Sequence, residues 1–159
     1  MKSIRTWAVT VTVAAAMSGG LFLRTDAACA QELQQLQAGQ IQTVANALIQ
    51  FETATRWESM QPSWRARRAP WIARVRSAVT AQQLAALTLE LETIMTWEAM
   101  YPAWRTERPG WVARTRAATS FHDVAQLLLA LEVATTWAAM YEDRWRPARS
   151  AWMASLNAI

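Results

Sequence analysis

Three glutamates recur at fixed spacing in this 159-residue chain, each set among apolar neighbours: Glu52 in IQFET, Glu92 in LELET and Glu132 in LALEV. A carboxylate in such a setting could serve as a general acid or base. No second proton-transfer group repeats beside it, so catalysis is not expected. What the setting does demand is a cation, because a carboxylate buried alone is costly or takes up a proton. Each copy supplies an arginine directly after a tryptophan, in Trp64-Arg65, Trp104-Arg105 and Trp145-Arg146. The planar guanidinium can engage both carboxylate oxygens. The expected structural ion pairs are therefore Glu52 with Arg65, Glu92 with Arg105 and Glu132 with Arg146.

The same six Trp and Arg residues are the candidate binding residues. Two readings stand. In one, the recurrent tryptophans fill the interior, each burying roughly 200 Å², as a packing consensus repeated in every unit of an array. In the other, they form an exposed row that stacks on a partner's sugars, prolines or bases, with the adjacent arginines contributing charge. The remaining chemistry is thin. His122 is the sole histidine, and a metal site would need partners that the chain does not offer it. Two of the four glycines, Gly19 and Gly20, fall near the N-terminus, which leaves no phosphate-cradling loop. Ser59, Ser63, Ser77 and Ser150 have no histidine base in a recognisable motif. No catalytic residue, metal ligand or cofactor is expected.

The elements that position these residues follow from a repeat. Trp57, Trp97 and Trp137 lie 40 residues apart and open the phrases WESMQPSWRARRAPWIARVRSA, WEAMYPAWRTERPGWVARTRAA and WAAMYEDRWRPARSAWMASL. The third copy carries one extra residue near Asp143-Arg144, so Trp145 and Trp152 answer to Trp104 and Trp111. Nine of the ten tryptophans belong to the repeat. Thr80 with Gln83, and Ser120 with Asp123, are capping pairs that start helices. Leu84, Leu87, Leu91 and Ile94 then fall at helical spacing, as do Val124, Leu127, Leu131 and Ala134, and Val44, Ala47, Phe51 and Ala54. Pro62 and Pro102 turn the chain. Pro70 and Pro109 read as first-turn residues of a shorter second helix ending near Ala78 and Ala118. No stretch alternates with a period of two. The expected class is all-α, with three tandem helical hairpins of about 40 residues at 40–79, 80–119 and 120–159. They would stack as a short solenoid or close into a compact helical bundle.

Residues 1–30 read as an export signal. Lys2 and Arg5 form a basic head, Thr6 to Leu23 carries no charge, and Ala28-Cys29-Ala30 supplies a small-residue cleavage site. The uncharged run is also long enough for an uncleaved membrane anchor. A lipid-modified Cys29 is not expected, since Asp26 sits where an aliphatic residue belongs. Removing residues 1–30 takes away Lys2, Arg5, Arg24 and Asp26, which lowers the net charge from +4 to +2 and leaves residues 31–159 without cysteine or lysine. That is not the footprint of a nucleic-acid binder.

The stretch RTRAATSFHDVAQLLLALEVATTW, and more loosely RVRSAVTAQQLAALTLELETIMTW, resembles the WHIM/WSTF-type helical segments of chromatin-remodelling factors. Those combine an Arg-x-x-x-Ala start, a Leu-rich helix, a Leu-Glu or Leu-Asp step and a Trp five residues on. The resemblance maps Leu127, Leu131, Glu132 and Trp137 onto that pattern and implies a helical interaction module. The expectation drawn from the whole sequence is a periplasmic or secreted, non-enzymatic interaction scaffold that holds a protein or envelope component. The alternative is a binder of an anionic polymer, nucleic acid or acidic glycan, through the repeated Trp-Arg pairs.

Overall fold

The computed structural model describes residues 23–55, 62–95, 102–135 and 145–159, with side chains from residue 27 onward. Among them are six helices and no strand: α1 (Leu23–Thr55), α2 (Pro62–Ser77), α3 (Ala81–Met95), α4 (Pro102–Ala117), α5 (Phe121–Thr135) and α6 (Trp145–Asn157). The all-α class expected from the periodicity is what the chain adopts. Trp57, Trp97, Trp137 and the extra residue of the third copy lie outside the described residues, as does the basic head with all but the last residue of the uncharged run. The chain divides into two compact units, Met1–Gln35 and Leu36–Ile159. Of the first, the described part is the opening of α1, whose residues 27–35 are exposed. No described helix is long and apolar enough to cross a membrane.

Helix starts follow the capping chemistry. The Gln83 amide N–H donates to Thr80 Oγ1 at 3.2 Å, and Gln83 Oε1 accepts from the Val79 and Thr80 amides at 2.7 and 3.1 Å. Asp123 repeats the device with Ser120 and Thr119 at 2.9 to 3.1 Å. Prolines behave differently from the sequence expectation. Pro62 and Pro102 are the first residues of α2 and α4, where the missing N–H costs nothing. Pro70 and Pro109 lie inside those helices. Both are exposed, so the carbonyl four residues back, deprived of its donor, can turn to water.

The core is threefold. Val44, Leu84 and Val124 are buried at equivalent positions, as are Ala45, Ala85 and Ala125, and Phe51, Leu91 and Leu131. The long helices α3 and α5 touch directly. Each short helix spans two long ones through a pair of tryptophans seven residues apart, stacked edge-on with ring centroids 5.4, 5.6 and 5.3 Å apart in α2, α4 and α6. The second tryptophan of each pair donates its indole N–H to a backbone carbonyl: Trp71 to Leu87 at 3.1 Å, Trp111 to Leu127 at 3.0 Å, and Trp152 to Ala47 at 2.9 Å. Leu87, Leu127 and Ala47 are the same position in successive units. The third short helix therefore meets the first long helix, and Phe51 lies against both Trp145 and Trp152. The array closes on itself as a bundle; it is not an open solenoid.

Candidate functional site

Of the six candidate binding residues, the three tryptophans are interior. Trp64, Trp104 and Trp145 are 0, 2 and 1% exposed, which removes the reading of an exposed stacking row. Their indole N–H groups donate to the repeated glutamates, at 2.8 Å to Glu52 Oε1, 2.8 Å to Glu92 Oε1 and 2.9 Å to Glu132 Oε1. Arg65, Arg105 and Arg146, next in sequence, are exposed.

The cation expected beside each buried glutamate is present, but it is a different arginine. Arg68 Nε donates to Glu52 Oε1 at 2.7 Å, Arg108 Nε to Glu92 Oε1 at 2.7 Å and Arg149 Nε to Glu132 Oε1 at 2.6 Å. In the second and third units a second bond, from Nη2 to Oε2, completes a bidentate fork at 2.9 and 2.8 Å. In the first unit Arg68 Nη2 turns instead to Thr53 Oγ1 at 3.2 Å, and that hydroxyl donates to Glu52 Oε2 at 3.4 Å. Hydrogen bonding to Glu132 holds the Arg149 guanidinium above its ordinary range, with the carboxylate charge adding to it against the cost of burial. Helix geometry explains the correction. The residue after an inward-facing Trp points about 100° away, whereas the residue four on shares its face. Both arginines repeat in WRARR, WRTER and WRPAR, so repetition could not tell them apart; periodicity could have.

Glu52, Glu92 and Glu132 are thus buried and each held by an indole and a guanidinium, a structural arrangement. His122, Ser63, Ser77 and Ser150 are exposed, and Ser59 lies outside the described residues. Among the described residues no group of three or more His, Cys, Asp or Glu side chains could hold a metal ion. Cys29 is exposed, and the expected cleavage site after Ala30 falls within α1.

Two surface grooves repeat between a short helix and the next long one, and sequence reasoning missed both because each depends on residues from two helices. Between α2 and α3 a groove of about 280 Å³ is lined by Arg74, Ala78, Leu87 and Glu90 among others. Arg74 Nη2 donates to Glu90 Oε1 at 2.8 Å, with Arg67 3.6 Å from the same oxygen. The bond to Glu90 raises the Arg74 guanidinium above its ordinary range. Between α4 and α5 the equivalent groove encloses about 420 Å³, with Arg114, Ala118 and Leu127 in the corresponding places.

A family described as a domain of unknown function (DUF8799) matches residues 38–96. That span contains one complete bridge, with Trp64 reaching Glu52 and Trp71 reaching Leu87. No curated protein matches the chain, and no solved structure does.

Proposed function

We propose that the protein is an exported, non-enzymatic helical scaffold that holds a protein or envelope partner in the periplasm or outside the cell. The observation that carries this reading is a division of labour between repeated and varied positions. Glu, Trp and the fourth-residue Arg repeat in every unit and are consumed by the bundle's own contacts. Positions on the outer grooves differ between units: Arg74, Arg114 and Ser155 at one, Glu90, Ala130 and Gln50 at another. A rigid frame carrying a varied surface suits presentation to a partner, and the chromatin-factor resemblance adds only the idea of a helical interaction module. Export rests on the basic head, uncharged run and small-residue cleavage site.

The anionic-polymer reading loses its aromatic half with the tryptophans buried, and retains the exposed Arg65, Arg105 and Arg146. Pull-down from envelope extract at low and high salt separates the two. A partner held by an apolar protein interface should stay bound as salt rises, whereas polymer binding through phosphate-type contacts should fall steeply. Full-length protein recovered in the cytosol, with none in the envelope, sinks the export reading.

A further inference from the structure

The two repeated grooves differ in one respect that has a chemical consequence. In the α2–α3 groove the arginine is neutralised from within, by Glu90. In the α4–α5 groove the arginine is kept as Arg114, but the position of Glu90 is taken by Ala130, and Arg114 has no hydrogen bond or ion pair among the described residues. Where α6 meets α1 the equivalent positions carry neither charge, being Ser155 and Gln50. Among the described residues, the α4–α5 groove is therefore the one that keeps the guanidinium and lacks the counterpart of Glu90. Loss of the glutamate also accompanies the larger volume, about 420 against 280 Å³, within the range of ligand-binding clefts.

We propose that the groove between α4 and α5 seats an acidic side chain of the partner polypeptide, with Arg114 as its counter-ion and Leu127 and Ala118 as the apolar floor for a small neighbouring residue. The seat rests on the scaffold reading above. Its chemistry is displayed in the sister groove, where a carboxylate already lies 2.8 Å from Arg74 Nη2. Two other acidic groups stand nearby and neither fills it. Asp123 Oδ2 is committed to the Thr119 and Ser120 amides at 3.0 and 2.9 Å. Glu107 stands where α2 has Arg67 and shares a helix face with Arg114, but no hydrogen bond or ion pair joins the two among the described residues. The incoming carboxylate completes a charge-assisted hydrogen bond of the kind the chain itself makes one unit earlier.

The test uses the blocked tripeptide acetyl-Ala-Glu-Ala-amide and its Gln counterpart, titrated into the protein by ¹H–¹⁵N NMR. Saturable shifts are expected at Gln126, Leu127 and the Arg114 side chain, with the Gln peptide binding about ten-fold more weakly for want of the charge-assisted bond. A130E supplies the carboxylate in place, as Glu90 does; it should keep the thermal midpoint and lose the shifts. R114Q should lose them too, which covers the case in which A130E folds poorly. Equal binding of both peptides, unchanged titration of A130E and R114Q, or no shift in the unmodified protein each overturns the seat. An envelope protein captured by the unmodified protein and retained equally by A130E overturns the seat and leaves the scaffold standing. Peptide binding without any envelope partner overturns the scaffold alone.

Discussion

Glu92 Oε1 accepts from both Trp104 Nε1 and Arg108 Nε, while Arg108 Nη2 takes Oε2, so removing this one side chain strands a buried indole donor and a half-buried guanidinium together. Glu92→Ala should destabilise the protein by about 3 kcal/mol, in line with breaking a buried pair from one side. In a urea-denaturation cycle with Arg108→Ala, the double variant should cost at least about 1 kcal/mol less than the two singles added. The same cycle with Arg105→Ala should show the smaller coupling, and the reverse order would restore the sequence-neighbour pairing. The need for a cation was legible in the sequence because it follows from charge burial alone. The identity of that cation was not read, because the choice between neighbours one and four residues away turns on which way the helix presents them.

At the scale of the element, the two described capping boxes are alike in geometry and unlike in charge. Asp123 is held below the usual carboxylate range, chiefly by the Thr119 amide and then by the Ser120 hydroxyl and amide, with His122 a lesser contributor. A depressed folded-state pKa means its contribution is present in full above the unfolded value of about 3.9 and is lost as pH falls through the folded one. Gln83 does not titrate. Acidification through that window should therefore lower the hydrogen-exchange protection factors at the start of α5 while leaving those at the start of α3 unchanged, and equal loss of protection at both would show that the caps are not responsible. These starts were readable in advance, since Thr-x-x-Gln and Ser-x-x-Asp state a local hydrogen-bond pattern. The prolines were harder. Pro70 and Pro109 signal a helix start by type, yet both helices run through them on a solvent-facing side that only the tertiary packing defines.

For the whole molecule the decisive contact is the indole of Trp152 on the Ala47 carbonyl, because it turns three hairpins into a closed bundle. The sequence left solenoid and bundle equally open, since the pattern within a unit is the same in either and only the partner of the last tryptophan distinguishes them. Trp152→Ala should cost about 3 to 5 kcal/mol as a large core truncation. In native-state hydrogen exchange the loss should appear in α1 around Val44 to Phe51 as well as in α6. Loss confined to α6 would mean that the units behave as an open array with nearest-neighbour contacts alone. Closure also bears on how the fold is reached. The bridges within and between adjacent hairpins join residues 12 to 17 apart, whereas the closing bond spans 105. Bringing the ends of the longer loop together in an unstructured chain costs roughly 1.7 kcal/mol more in chain entropy, so the seam between α1 and α6 is expected to form after the shorter-range bridges. A chain emerging N-terminus first presents Phe51 before Trp145 and Trp152, the two rings that lie against it across this seam, have been made.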